Sequence, residues 1–413
     1  MRADRSVLLT LLLTCCLAAS EVRSQTLRSA ELRINPKIPR TRWMPDVATG
    51  ADGRFVVVWQ DRKGDAESVS VMARIFDAAG KPRSGQIQVG SHVPVPFGLE
   101  RVSVAMAPDG RFVVVWAGGL EDPFAVFGRR FAADGSPLGA RFRLAESERN
   151  QETPDVAMAP DGSFVTVWTQ GVEGTAEINT DIFLRRFGPD GRPLGPAVDA
   201  IDAYEEQSEP RVALRPDGGF VVVCQDFRSQ TYDVLAQVFS RSAEPISDEL
   251  EVTDKGEAQL EQAVAVASDG RFAIAWTDRI GDGPSGTEES SGVGIRFYAA
   301  DGSALGPGGR VNVFRSGVQA SPAVSALPNR GFLVLWTSGA DQDGDGFGIF
   351  ARVYALNGTP RGREFRINLN RTGSQTSPAV AVAPNGKGAA VWVGPDGEGA
   401  SIFARLVGPP RAQ

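Results

Sequence analysis

The chain has 413 residues, 42% of them hydrophobic and 23% charged, a balance that builds a packed core and excludes a disordered polypeptide. Its formal net charge of −7 disfavours nucleic acid as a partner, and three cysteines are too few for a disulfide framework.

In chain order, Arg2 and Arg5 precede an apolar run from Val7 to Ala19 that ends in the small residues Ala18-Ala19-Ser20. This is the pattern of a secretory signal peptide over residues 1–20, with cleavage between 20 and 25. The run is too short to span a membrane and no later segment approaches its length, so a soluble, monomeric chain, secreted or periplasmic, is expected. Cys15 and Cys16 follow Thr14 and Cys15, not the small residue that precedes a lipidated cysteine, which makes an outer-membrane lipoprotein the lesser alternative. Removing Arg2, Asp4 and Arg5 (net +1) takes the charge from −7 to −8, and Cys224 is then the one cysteine left.

Next come near-copies of one cassette, Pro160-Asp161-Gly162-Ser163-Phe164-Val165-Thr166-Val167-Trp168. Its versions close at Trp59, Trp116, Trp168, Cys224, Trp276, Trp336 and Trp392. The period is roughly 50 to 60 residues, the mark of a repeat architecture. In the third copy, Thr153 to Met158 is a first β-prone run (strand A), and Pro160-Asp161-Gly162 is a turn. Phe164 to Trp168 is an unbroken β-branched and aromatic run (strand B), the pattern of a strand buried on both faces. Asp181 to Phe187 is a third strand (C), and Ala197 to Ala200 a short fourth (D). Four short strands per unit predict an all-β seven-bladed β-propeller with four-stranded antiparallel blades, in which the Trp residues pack blade on blade.

The blades are expected at about 41–89, 98–144, 153–200, 209–252, 261–313, 320–368 and 376–407, the last completed by residues 29–36. The seventh copy stops after its strand C, while Glu31-Leu32-Arg33-Ile34-Asn35 nearly duplicates the strand D of copy six, Glu364-Phe365-Arg366-Ile367-Asn368. Residues 31–35 are therefore predicted to complete the last blade and leave no open edge. With these repeats and this closure, the chain resembles bacterial exported seven-bladed propellers of the TolB type and the WD-repeat type. The resemblance implies a fold and no activity, because the Ser-x-Asp-x-Gly-x-Thr-Trp box of sialidases and the Gly-His and Trp-Asp pairs of WD repeats are absent.

The A–B turns are formulaic, while the B–C and D–A loops on the opposite face vary, and variable loops on a rigid scaffold are where function is placed. In the sixth B–C loop, Asp341, Asp343 and Asp345 alternate before Gly346 as in the first half of a calcium loop. They are candidate Ca²⁺ ligands, with a solvated acidic turn as the plain alternative. Gln151, Gln207, Gln259, Gln319 and Gln375 recur where the chain enters strand A; they either ring the tunnel mouth as a ligand-binding set or satisfy backbone groups between blades. The long fifth B–C loop, Asp278 to Gly292, reads as solvated. Acids including Glu146, Glu152, Glu206 and Glu261 fall on blades two to five of this face. An arginine recurs on strand C at Arg74, Arg129, Arg185, Arg296, Arg352 and Arg405, and recurrence in every blade speaks for scaffold.

His92 is the only histidine and no Gly-x-Ser-x-Gly stretch is present, so nucleophilic triads are disfavoured. The sequence thus favours a non-enzymatic scaffold that presents its variable face to a protein, peptide or glycan. The alternative is a carboxylate-dependent glycoside hydrolase or polysaccharide lyase on the same face.

Overall fold

The computed structural model describes residues 29–62, 69–92, 101–118, 124–172, 179–201, 206–227, 231–253, 258–279, 291–328, 331–339 and 342–408. The signal segment with Cys15 and Cys16, the His92 side chain, most of the Asp278 to Gly292 loop, and Asp341 lie outside them. No helix among the described residues is long and apolar enough to cross a membrane.

The described residues form seven four-stranded antiparallel sheets, each pairing in the order A-B-C-D. Blade three shows how sequence makes a blade. Its strand A is Gln151–Met158, B is Phe164–Gly171, C is Thr180–Phe187 and D is Val198–Asp199. Between A and B, the Gly162 N–H donates to Ala159 O at 2.9 Å, and Asp161 Oδ1 accepts the Ser163 N–H at 2.8 Å. Gly162 sits at φ +88°, a left-handed angle open to glycine at little cost, which is why Gly closes this turn in copy after copy.

Strand D is short for a physical reason. In blade five it is Gly309–Arg310; Val311 N then donates to Val293 O, after which the side chain of Asn312 takes over, its Oδ1 accepting the Val293 N–H at 2.9 Å. Asn368 does the same for Ile349 N, and Asn35 for Ile402 N.

Strand B is buried along nearly its whole length in every blade, as in Phe220–Asp226 and Gly331–Ser338. Seven apolar clusters result, each between neighbouring blades. Trp59, Trp116, Trp168, Trp336 and Trp392 are fully buried in them, and Cys224 fills the same slot in blade four. The strand C arginines hold the blades to one another: Arg74 Nη1 donates to Ile34 O (2.7 Å), Arg129 to Val89 O (2.9 Å), Arg185 to Leu144 O (3.0 Å) and Arg405 to Ile367 O (2.9 Å). Each carbonyl belongs to the preceding blade, so the recurrence is scaffold.

The ring closes as the repeat predicts. Leu32–Arg33 pairs with Ala400–Val407, with Leu32 opposite Ala404 and Arg33 opposite Phe403. Ile34 is fully buried among Val47, Trp59, Val391 and Ile402, in the cluster that joins the last blade to the first.

Candidate active site

The innermost strands carry a feature that the cassette does not announce. In six blades, strand A slips its register against strand B, between Trp43 and Asp46, Glu152 and Asp155, Ser208 and Arg211, Leu260 and Ala263, Ala320 and Ala323, and Thr376 and Ala379. Each slip is a β-bulge, and each holds one non-glycine residue at positive φ: Met44, Thr153, Glu209, Glu261, Ser321 and Ser377, between +45° and +57°. Such a backbone costs on the order of 1–3 kcal/mol per residue and is tolerated where surrounding contacts fix it. Five of the six precede a proline, which has no N–H to leave without a partner at the bulge. Neighbouring blades supply the contacts. Thr169 Oγ1 of blade three accepts Glu209 N at 3.2 Å, and Thr277 Oγ1 of blade five accepts Ser321 N at 3.0 Å.

The bulges line a cavity of about 490 Å³ on the axis of the ring. Strand A enters from the D–A loops, so the bulges, near its start, lie toward the variable face. The lining is lopsided. Blades one to five supply Asp46, Arg101, Asp155, Glu209, Arg211 and Glu261, whereas blades six and seven supply Ser321-Pro322-Ala323 and Ser377-Pro378-Ala379.

Most of the carboxylates are occupied by protein donors. Asp46 accepts Val47 N and Val104 N, both at 2.8 Å. Asp155 accepts the Ser103 hydroxyl (2.6 Å) and Val212 N (2.8 Å), so these two aspartates tie adjacent inner strands together. Glu261 accepts the Thr277 hydroxyl and Ser321 N, each at 2.7 Å. Glu209 is ion-paired with Arg101, whose Nη1 also donates to Pro210 O at 3.0 Å.

Two carboxyl groups are displaced from ordinary acidity. Burial pushes Asp46 up to about 6, helped by the charge of Asp155 and opposed by the Val104 and Val47 N–H groups. Burial, and then the neighbouring charge of Glu209, pushes Glu152 up to about 7. Glu152 therefore keeps its proton near neutral pH beside a second carboxylate, an arrangement able to deliver a proton to a departing oxygen.

The candidates read from sequence fall elsewhere. Gln151, Gln207, Gln259, Gln319 and Gln375 are all buried. Gln151 Nε2 donates to Gln170 Oε1 (2.8 Å), Gln319 accepts from Asn312 (3.1 Å), and Gln375 accepts from Asn368 (2.6 Å) while donating to Thr372 O and Gly373 O. The amides of Gln151, Gln319 and Gln375 thus meet the seams between blades, that of Gln207 is buried without a hydrogen-bond partner among the described residues, and in four of these blades it is the residue two positions on, Glu209, Glu261, Ser321 or Ser377, that lines the channel. Asp343 is buried and accepts from Asn368 Nδ2 (2.9 Å) and Asp345 N (3.3 Å), while Asp345 accepts Gly373 N (3.0 Å). No group of three metal-ligating side chains is brought together among the described residues.

Glu152 and Glu261 stand among the face acids already visible in sequence. Asp46, Arg101, Asp155, Glu209 and Arg211 were missed. A signal was available in the column before Pro154, which reads Met44, Arg101, Thr153, Glu209, Glu261, Ser321 and Ser377. It is a variable column inside a formulaic strand.

No family model matches the chain, and no curated protein matches it. Solved structures do. An ulvan lyase of a polysaccharide lyase family aligns with TM-score 0.57 at 12% identity, over 93% of this chain and 94% of its own. A Dyadobacter fermentans protein of unknown function aligns at 0.53 and 11%, over 93% and 99%. An α-L-arabinofuranosidase of Fusarium graminearum aligns at 0.50 and 12%, over 74% and 92%. This chain has their fold: it is a seven-bladed propeller. The preference for a non-enzymatic scaffold is corrected here, because the same ring is the framework of polysaccharide-cleaving enzymes. The absence of a triad excluded one chemistry only, and carboxylate chemistry needs none.

Proposed function

We propose that the chain cleaves a polysaccharide at the central channel, with Glu152 as proton donor and Glu209 as its carboxylate partner. The observation that carries this reading is the placing of two carboxylic acids, Glu152 and Glu209, at the bulges of adjacent inner strands, with Glu209 paired to Arg101 and Glu152 pushed up to about 7 by burial and then by Glu209. The likeness of the ring to a lyase and a glycosidase supports it.

Breaking a glycosidic C–O bond leaves the electron pair on oxygen. The Glu152 O–H delivers the proton that neutralises it. Glu209, oriented by Arg101, takes a proton in turn, from water in a hydrolysis or from the sugar carbon next to the uronate carboxyl in an elimination.

Incubation with neutral and acidic polysaccharides tests this, reading new reducing ends and the ultraviolet absorbance of the unsaturated sugar that elimination leaves. Glu152→Gln is expected to lower the rate roughly 100-fold or more, the scale of general acid catalysis. Full activity in both Glu152→Gln and Glu209→Gln would remove the proposal.

A further inference from the structure

Few charged groups in the channel keep a hydrogen-bonding valence for a ligand. Both oxygens of Asp46, Asp155 and Glu261 accept protein donors, and Glu209 is held by Arg101. Arg211 is different. It follows the Glu209-Pro210 bulge, and its Nε donates to Gln262 O of the next blade at 3.3 Å, which fixes the plane of the guanidinium. Its two terminal nitrogens meet no hydrogen-bond acceptor among the described residues, although the group lines the channel together with Asp46, Arg101, Asp155 and Glu209. Among the charged donors that line the channel, the Arg101 fork is used by Glu209 and Pro210, and the Arg211 fork is the one left open. Arg211 is half-buried, and a guanidinium fork open to the channel is matched by a planar oxyanion through two parallel N–H···O bonds. The wall of blades six and seven, Ser321-Pro322-Ala323 and Ser377-Pro378-Ala379, is small and uncharged, which leaves room for a sugar ring.

We infer that Arg211 receives the carboxylate of a uronic acid residue, so that the substrate class is an acidic polysaccharide. This rests on the channel being the cleavage site. A carboxylate held on Arg211 lies next to Glu209, where its withdrawn charge would ease removal of the adjacent ring proton.

The test is calorimetric binding at low salt, with the full chain and with a Glu152→Gln form that halts turnover. The probes are an oligouronate, a neutral oligosaccharide of the same length, and a sulfated form of that neutral sugar. The oligouronate is expected to bind most tightly. Arg211→Gln should weaken it roughly 10- to 100-fold and leave the neutral sugar unchanged. Arg211→Lys, which keeps the charge and loses the fork, should fall between the two and serves where the Gln variant does not fold. Equal binding of neutral sugar and oligouronate overturns the inference, as does tighter binding of the sulfated sugar or a Lys variant equal to the parent. The two proposals fail separately. A chain that cleaves only neutral polymers refutes the role of Arg211, and one that binds oligouronate through Arg211 but cleaves nothing refutes the proposed reaction.

Discussion

Glu152 and Glu209 come from adjacent inner strands and differ in environment: Glu152 is half-buried beside a like charge, and Glu209 is ion-paired with Arg101. Removing the charge of Glu209 should let Glu152 ionise more readily. Glu209→Gln is therefore expected to move the alkaline limb of any residual activity from about 7 to lower pH, measured as a profile of kcat/KM. The same shift has a sign in stability. Glu152 is raised from 4.5 to about 7, so the folded state holds the extra proton between those values. Its contribution is fully present below 4.5 and is lost as pH rises through about 7. Glu152→Gln should accordingly be more stable than the parent above pH 7 and gain nothing at pH 4, by urea denaturation across that range. Little of this was legible beforehand. Glu152 could be placed on the correct face from the repeat, but its neighbour at Glu209 depends on a bulge, and a register slip of one residue leaves no periodic trace in a strand already apolar on both sides.

Elements were far more legible than residues, for the reason that repetition averages out local ambiguity. The strand C arginines were read as scaffold because they recur, and each does reach a carbonyl of the preceding blade. Arg185 also lies over the Phe187 ring at 5.9 Å, so Arg185→Ala should lower stability by about 1–3 kcal/mol in urea denaturation, through a lost charged hydrogen bond and lost stacking. The Asp341 to Gly346 turn is the opposite case, since alternating acids look alike in sequence whether they face solvent, an ion or the protein. Asp343 turns inward to Asn368, which itself links Ile349 N to Gln375. Asp343→Ala should cost about 1 kcal/mol, because the buried Asn368 amide loses a charged acceptor but keeps Asn370 O and Gln375 Oε1 for its two hydrogens. Thermal melts with Ca²⁺ and with EDTA decide what else the turn does: an equal loss in both assigns Asp343 to the fold alone, and a loss that appears only with Ca²⁺ assigns it to an ion.

At the scale of the molecule, the missing strand D of the seventh copy and its near-duplicate at residues 31–35 were enough to predict the closure, because an unpaired blade edge has to be covered by something. Deleting residues 29–36 removes the fully buried Ile34 and exposes the edge of Ala400–Val407, so a lower melting temperature and concentration-dependent aggregation are expected in calorimetry and light scattering. An unchanged melt would refute the closure as a source of stability. The ring also imposes a timetable. The segment at Leu32–Arg33 is made before the first blade, yet its docking partner, Ala400–Val407, is made only after six whole blades. No stage of synthesis before Ala400–Val407 emerges can offer the earlier segment its native place, so the ring has to close in a single late event, and a chain halted before that strand has no circle at all.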